Sequence, residues 1–346
     1  MTSRERLLAA YRCQAVDRLP LRVWGMQVWN DEWLATKDET FAPVIEATRE
    51  HGDFVDSWGV GGGLFYSRTT CPTDTVTEDH GDWVRHTIAY HTPAGDLTCA
   101  YDASKRGHPG MQVEFVVKDL ADFAKVLSLP YEPLRPDCSG FTAKVQAIGD
   151  RGVVACGIPN AVTMLHSLMG SERFAIWTIE ERPRLLELLQ VFHERCMDLL
   201  RYLLDQGVGP VFSMTGAEYV APPLHGPRDF RDFSARTDAE MADLIHARGG
   251  LLHIHCHGPL NAILEQFVEL GCDCVHPIEP PPMGDVTIED AYRRLGGRVC
   301  IEGNIQIGDL YSGSTAEIVA QVKHNIAVTG CRGYVLSPTA SPDPPR

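Results

Sequence analysis

A regular alternation of short apolar segments and helical patterns in the second half of the chain constrains its fold most. The apolar segments have the length of strands and are residues 153–156, 211–214, 251–255, 272–276, 299–301 and 333–336. Helical patterns lie at residues 183–205, 237–247, 260–270, 288–295 and 315–328. Repeated strand–helix units with short connections are typical of a parallel sheet with helical crossovers.

Two architectures fit this alternation, an open doubly wound sheet and a closed barrel. Nucleotide-binding doubly wound folds carry a glycine-rich phosphate loop. Here no G-x-G-x-x-G follows an early strand and no G-x-x-x-x-G-K-[ST] occurs. The length of 346 residues suits one α/β barrel. We therefore predict a single domain over residues 1–346 with the fold of a (β/α)8 TIM barrel, whose first strand is residues 21–24.

An antiparallel hairpin is predicted as an insertion near the amino-terminal strands, at about residues 75–116. Residues 83–90 are rich in strand-forming side chains, and residues 95–100 follow after a Pro-Ala-Gly turn. Two Ser/Thr-x-x-Glu patterns predict the starts of helices, at Thr237 and at Ser314.

Composition excludes several classes of protein. The formal net charge of −15 and the lack of a basic stripe argue against binding to nucleic acid or to an anionic membrane. No apolar window is long enough to span a bilayer and no signal-peptide core follows Met1, so we expect a cytoplasmic protein. The eleven scattered cysteines are expected to be free thiols. The expected partner is a small-molecule substrate, and a homodimer stays open.

Polar side chains recur at the points where the predicted strands end. In a barrel, the carboxyl ends of the strands carry the functional residues, so these side chains predict the active site. The residues are Asn160, Glu218, Tyr219, His255, Cys256, His257, His276, Glu279, Glu302 and Asn304.

The densest cluster is the run of histidines at the end of the 251–255 segment. His253, His255 and His257 alternate along an extended segment and therefore share a face. Imidazole and thiolate are the usual ligands of zinc. We predict that His255 and His257 hold a metal, whereas His253 is interpreted as a core histidine, and Cys256 as either a ligand or a buried thiol.

Two carboxylates are expected to complete the metal site or to act as general acid and base. Glu218 follows the 211–214 segment, and Glu279 lies beside three prolines that stiffen its loop. Asn304 follows Gly303, which lets the backbone approach a ligand closely, and is expected to orient the substrate during catalysis.

Together these motifs resemble the uroporphyrinogen decarboxylase superfamily, whose fold is a (β/α)8 barrel. The resemblance extends over almost the whole chain, and three motifs in order are its most specific part. They are His255-Cys256-His257-Gly258, His276-Pro277-Ile278-Glu279 and Glu302-Gly303-Asn304-Ile305. Shorter matches are Arg4-Glu5-Arg6-Leu7-Leu8, Asp17-Arg18-Leu19-Pro20, Leu168-Met169-Gly170-Ser171-Glu172 and Glu218-Tyr219-Val220.

The resemblance implies one of two activities. Decarboxylases of the family grip substrate carboxylates with an early Arg-Gln-Ala-Gly-Arg stretch. This chain has Trp24-Gly25-Met26-Gln27-Val28-Trp29 there, and Arg22 and Arg68 fall outside the motif. A substrate with many carboxylates needs cationic partners, so the missing motif argues against the decarboxylase activity. The expected substrate contacts are Trp24, Asn160, Tyr219, His276 and Glu302.

The zinc methyltransferases of the family carry His-x-Cys-Gly and a distant Cys after the last strand. This chain has His257 in place of that first Cys, and Ser337-Pro338-Thr339-Ala340 after its last strand. We favour metal-assisted methyl transfer with zinc, working with a corrinoid carrier protein or a small methyl donor. The alternatives are a decarboxylase without metal and a barrel that binds a ligand without catalysis.

Overall fold

The computed structural model describes residues 1–341, so the last five residues lie outside the described residues. The chain forms two compact units. The first comprises residues 1–60, 137–160 and those from Leu200 onward, and the second comprises residues 61–136 and 161–199. The single domain over residues 1–346 stays a prediction.

Eleven strands are formed by residues 1–341. They are β1 (Phe54–Gly59), β2 (Thr73–His80), β3 (Trp83–Thr92), β4 (Gly95–Ser104), β5 (Met111–Glu114), β6 (Gly152–Gly157), β7 (Val211–Thr215), β8 (Leu251–His255), β9 (Cys274–His276), β10 (Cys300–Ile305) and β11 (Tyr334–Pro338).

The α-helices connect and flank these strands. They are α1 (Ser3–Tyr11), α2 (Asp31–Leu34), α3 (Ala42–His51), α4 (Leu120–Ser128), α5 (Ser139–Ile148), α6 (Ala161–Glu180), α7 (Arg182–Asp205), α8 (Pro227–Phe230), α9 (Arg236–Ala247), α10 (Leu264–Glu269), α11 (Ile288–Leu295), α12 (Ile307–Ser312) and α13 (Thr315–Thr329).

The first unit is built on a curled parallel sheet. Within residues 1–341 its seven strands run in the order β1-β6-β7-β8-β9-β10-β11. Helical crossovers cover both faces of a parallel sheet and bury its strands, and all six residues of β10 are buried. The α/β fold with a parallel sheet is therefore confirmed.

The predicted first strand at residues 21–24 is wrong. Only Leu21 forms a bridge, to Leu336 of β11, where the Arg22 N–H donates to the Leu336 carbonyl at 2.9 Å. On the other side, the Asp53 N–H donates to the Leu21 carbonyl at 2.6 Å. Pro20 offers no N–H, and Gly25 turns the chain with a φ of 77°. The segment is thus too short for a strand, and a closed eight-stranded barrel stays a prediction.

Helix α1 covers the amino-terminal ends of the parallel strands. Its side chains pack against the first residues of the strands in one buried cluster, which leaves the carboxyl ends for the site. The cluster contains Leu7, Ala10, Tyr11, Cys13, Val153, Ala155, Val211, Leu251, Cys274, Cys300 and Val335.

The second unit contains an antiparallel sheet with the order β2-β3-β4-β5. Strands β3 and β4 pair from Trp83 opposite Ser104 to Thr92 opposite Gly95, which confirms the predicted hairpin. The hairpin is part of a larger sheet than expected, because β2 and β5 add a strand to each side.

The two predicted helix starts differ in outcome. Ser314 caps α13 with Glu317 in a capping box, as predicted. Thr237 does not begin a helix, because α8 continues through a π-helical turn at Arg231–Ala235 into α9. The Thr237 hydroxyl instead donates to the Ser234 carbonyl at 2.9 Å.

The cysteines and the helices agree with two expectations from composition. All eleven cysteines are free thiols. Among residues 1–341, no helix combines the length and the apolar character needed to cross a bilayer.

A buried ion pair ties α1 to the residue that precedes β1. Arg6 Nη1 lies 2.6 Å from Asp53 Oδ1, and the Asp53 side chain has no exposed surface. Arg18 Nη1 lies 2.9 Å from Asp53 Oδ2, and the Leu21 N–H donates to the same oxygen at 3.1 Å. Asp53 thereby holds three parts of the amino-terminal region together.

We expect Asp53→Ala to lower the free energy of unfolding by about 3 kcal/mol, because the Arg6 guanidinium loses its buried carboxylate partner and keeps Asp17, which is 40% exposed. Urea denaturation followed by circular dichroism measures the change. Asp205→Ala is the matched control, since the Asp205–Arg248 pair is exposed and exposed pairs contribute little. Equal effects of the two substitutions would contradict a structural role of Asp53.

Candidate active site

Neighbouring parallel strands place two histidines side by side at the carboxyl end of the sheet. His255 ends β8 and His276 ends β9, and the two residues are opposite each other in the register. Their Nδ1 atoms lie 2.9 Å apart, and His276 Nε2 lies 3.0 Å from the Pro338 carbonyl oxygen of β11. The register of the strands therefore links three strand ends through imidazole rings.

Glu302 of β10 is the centre of a buried hydrogen-bond network. Its Oε1 accepts from Arg22 Nη1 at 2.7 Å and from Trp24 Nε1 at 2.8 Å. Its Oε2 accepts from the Tyr11 hydroxyl at 3.2 Å and lies 3.3 Å from His253 Nε2. Both oxygens are thus satisfied by side chains, three of them from the amino-terminal region.

Trp24 connects this network to the two histidines, because its indole N–H bonds Glu302 and its ring contacts both imidazoles. Its ring stacks on His276 with 4.4 Å between centroids and 14° between planes, and it lies 5.6 Å from the His255 ring. The Arg22 guanidinium also lies over the Trp24 ring, 3.9 Å from its centroid.

The charges of this inner region follow from burial and from one cation. Burial by itself raises the pKa of Glu302, but Arg22 and His253 outweigh it and hold that pKa well below its ordinary value. Burial holds the pKa of His276 well below its ordinary value. Burial, together with the neighbouring imidazoles of His257 and His253, lowers the pKa of His255 to about 4. Near neutral pH, Glu302 is ionised whereas His255 and His276 are uncharged.

A second group of side chains, His257, Glu279 and Glu218, lies beside His255. His257 Nδ1 is 3.2 Å from Glu279 Oε2, and its ring centroid is 4.6 Å from that of His255. The Gly258 N–H donates to the same Glu279 oxygen at 3.0 Å. His257 is partly exposed to solvent, with 37% of its side chain accessible, whereas Glu279 is buried.

The loop after β9 holds Glu279 in place. The Gly284 N–H donates to the Pro280 carbonyl at 3.1 Å, and Gln306 Nε2 donates to the same carbonyl at 3.2 Å. A Cβ atom at Gly284 would lie 2.1 Å from the Glu279 carbonyl oxygen, so this close turn requires glycine.

The two carboxyls beside His257 have pKa values shifted in opposite directions. Burial raises the pKa of Glu218, against the opposing effect of His257. For Glu279 the hydrogen bonds from His257 and Gly258 outweigh burial and lower the pKa. In turn Glu279, and to a lesser degree Glu218, raises the pKa of His257. Carboxyls separated in this way are suited to different roles in one site.

The structure therefore brings together most of the residues that the sequence predicted for the site. Trp24, His276 and Glu302 form the inner part, and Tyr219 follows Glu218 in a short 3-10 helix. Asn304 lies elsewhere, because its Oδ1 accepts from Asn325 of α13 at 2.9 Å. Asn160 is buried and lies beside Asp238 of α9.

Cys256 is fully buried, and burial raises its pKa well above the ordinary value. Such a thiol resists losing its proton. This favours the buried thiol over the ligand among the two sequence interpretations of Cys256.

One set of three ligand types in residues 1–341 lies close enough to hold a metal ion. His253, Cys274 and Glu302 offer atoms within 4.8 Å of one another, and all three residues are buried. Burial raises the pKa of the Cys274 thiol well above its ordinary value, and Glu302 is already bonded to Arg22. The predicted ligands His255, His257, Glu218 and Glu279 do not form such a set within that distance.

Three residues of the inner network lay outside the predicted site. Tyr11 and Arg22 were not predicted, and His253 was interpreted as a core histidine. Arg22 and Trp24 alternate along an extended segment, so their shared face was a usable signal. Tyr11 gave no signal, because 291 residues separate it from Glu302.

Known proteins were compared with the chain by sequence and by structure. A model of the family described as uroporphyrinogen decarboxylase (URO-D) matches residues 91–341. A methyltransferase from Methanosarcina mazei has a similar structure, with a TM-score of 0.62 and 16% identity over 100% of this chain and 95% of the other. A protein assigned as a vitamin-B12-independent methionine synthase from Listeria monocytogenes has a TM-score of 0.40 and 15% identity, over 57% of this chain and 59% of the other. No curated protein matches the chain. At these identities the structural likeness shows the fold alone.

The buried Glu302 carboxylate gives a testable dependence on pH. Its pKa is lower in the folded chain than in the unfolded chain, where it is about 4.3. The ionised group therefore stabilises the fold above that pH, and this stabilisation is lost as the pH falls towards the folded-state pKa.

We expect Glu302→Gln to lower the free energy of unfolding near neutral pH by about 3 kcal/mol, because Arg22 loses its buried partner. The difference from the wild type should shrink as the pH falls below about 4. Urea denaturation over a series of pH values measures it. A difference that does not vary with pH would show that Glu302 is not ionised in the folded chain.

Proposed function

The chain belongs to the uroporphyrinogen decarboxylase family, and from that premise we propose that it is a metal-assisted methyltransferase. The metal would lie at the carboxyl ends of β7 and β8, held by His255, His257 and Glu218, whose ligand atoms would have to move closer together to bind it. Glu279 acts on the metal site through His257. The acceptor is a thiol, and the methyl donor is a corrinoid carrier protein or a small methylated molecule.

The contact between His257 and Glu279 carries the proposal. A histidine that binds a metal through one ring nitrogen usually donates its other N–H to a carboxylate. His257 Nδ1 lies 3.2 Å from Glu279 Oε2, which leaves Nε2 of a partly exposed ring for a ligand. Glu218 is close enough to raise the pKa of His257. It supplies a carboxylate, which is a common third ligand of zinc beside two histidines.

The inner set of His253, Cys274 and Glu302 suits a metal less well. The Glu302 oxygens already contact Arg22, Trp24, Tyr11 and His253. A divalent cation there would lie beside the Arg22 guanidinium in a region of low dielectric constant, where like charges repel strongly. We therefore assign a structural role to the inner set, and we assign His255, His257 and Glu218 to the metal.

The chemistry is the transfer of a methyl group to sulfur. A bound zinc ion would keep the acceptor thiol deprotonated near neutral pH. The thiolate sulfur forms a bond to the methyl carbon, and the bond between that carbon and the donor breaks with its electron pair left on the donor. The chain contributes by orienting its ligands: Glu279 holds the His257 ring, and β8 and β9 hold His255 beside His276.

The charges of the site support this choice over the decarboxylation of a polycarboxylate. Two carboxylates, Glu218 and Glu279, belong to the group of side chains around His257. The nearby Arg22 guanidinium is already bonded to Glu302. A substrate with several carboxylates would find no unpaired cation among these groups. The methyltransferase activity of the Methanosarcina mazei neighbour agrees with the proposal.

We expect protein purified without a histidine tag to bind about one zinc ion per chain. His257→Ala should weaken zinc binding by at least about tenfold, because a ligand is lost. Metal analysis and competition with a chromogenic chelator measure both quantities. His324→Ala is the control, since His324 is exposed and pairs with Glu289 away from the strand ends.

Activity is tested with methylcobalamin as donor and a small thiol as acceptor, with the thioether detected by mass spectrometry. Thioether formation that depends on zinc supports the proposal. Release of carbon dioxide from a porphyrinogen by the metal-free chain would instead identify a decarboxylase. A protein that binds zinc and donor without turnover would be a binding barrel.

A further inference from the structure

His276 was predicted to contact the substrate, and in the structure its ring is enclosed by other residues. Its side chain has no exposed surface. The Trp24 ring covers one face at 4.4 Å between centroids, and both ring nitrogens are engaged, by His255 and by the Pro338 carbonyl. The bond to His255 is therefore the link between His276 and the neighbouring His257.

The hydrogen bonds of His276 fix the positions of the protons on both rings. A carbonyl oxygen can only accept a hydrogen bond, so His276 Nε2 carries the hydrogen that points to Pro338. An uncharged imidazole has one N–H, and His276 Nδ1 is then an acceptor. His255 Nδ1 lies 2.9 Å from it and must donate. An uncharged His255 therefore carries its hydrogen on Nδ1 and none on Nε2.

We propose that His276 is a positioning residue that fixes the tautomer of His255 and keeps its Nε2 free of hydrogen for a ligand. The chain of bonds runs from His255 through His276 to Pro338 and crosses the ends of β8, β9 and β11. The Trp24 stack holds the middle ring in the plane that this chain requires. The part of the inference that concerns the metal rests on the proposed function, whereas the tautomer does not.

The tautomer is tested first in the wild-type protein without metal. Nitrogen-15 NMR of the histidine rings distinguishes a nitrogen that carries hydrogen from one that does not. We expect His255 to be protonated on Nδ1 and His276 on Nε2. A His255 ring protonated on Nε2 would overturn the inference, and this measurement needs no variant.

Two substitutions then separate positioning from packing. His276→Phe keeps an aromatic ring below Trp24 but removes the acceptor, so we expect both His255 tautomers to be populated and the zinc Kd to rise about 10-fold to 100-fold. His276→Asn restores an acceptor close to the position of Nδ1 and should recover most of the tautomer preference. An unchanged tautomer and an unchanged zinc Kd in His276→Phe would overturn the inference.

The inference and the proposed function can fail separately. Wild-type protein with the expected tautomer but without zinc binding would support the inference and overturn the metal-assisted function. Protein that binds zinc through a His255 with the opposite tautomer would overturn the inference and leave the function standing.

Discussion

The ion pair between Glu302 and Arg22 is the interaction on which the site depends. A carboxylate without exposed surface is costly to bury unless its oxygens are paired and hydrogen-bonded, and here a guanidinium, an indole, a phenol and an imidazole surround it. Three of these partners come from the first 24 residues. The pair therefore anchors the segment before Gly25 to β10, and this anchoring sets Trp24 against His276.

The alternation of strands and helices was readable because each element has a local signal. The carboxyl half of the sheet follows it closely: α11 was predicted at its observed bounds, and β8 as well. The segment at residues 21–24 shows the limit of such signals. An extended pattern does not reveal how many residues bond to a neighbouring strand, and Pro20 and Gly25 reduced that number to a single bridge.

The site was partly predictable for a similar reason. The rule that function gathers at strand ends located His255 and His276, because parallel strands in register bring their ends together. Glu302 was expected to follow a strand at 299–301, but β10 extends to Ile305 and Glu302 lies inside it. The rule did not predict the contacts of these residues. The pairing of Tyr11 with Glu302 depends on how α1 closes over the strands, and the turn of Asn304 towards Asn325 depends on the packing of α13. Neither is encoded in the residues around the motif.

The loop that carries Glu279 has an entropic consequence. Its prolines restrict the backbone before any ligand arrives, and the tight approach at Gly284 closes the loop on itself. A group already held in its bound geometry loses little conformational freedom when a ligand binds, so more of the interaction appears as affinity. The rigidity of this short loop would thus strengthen the proposed binding at His257 without any contact between the loop and the ligand.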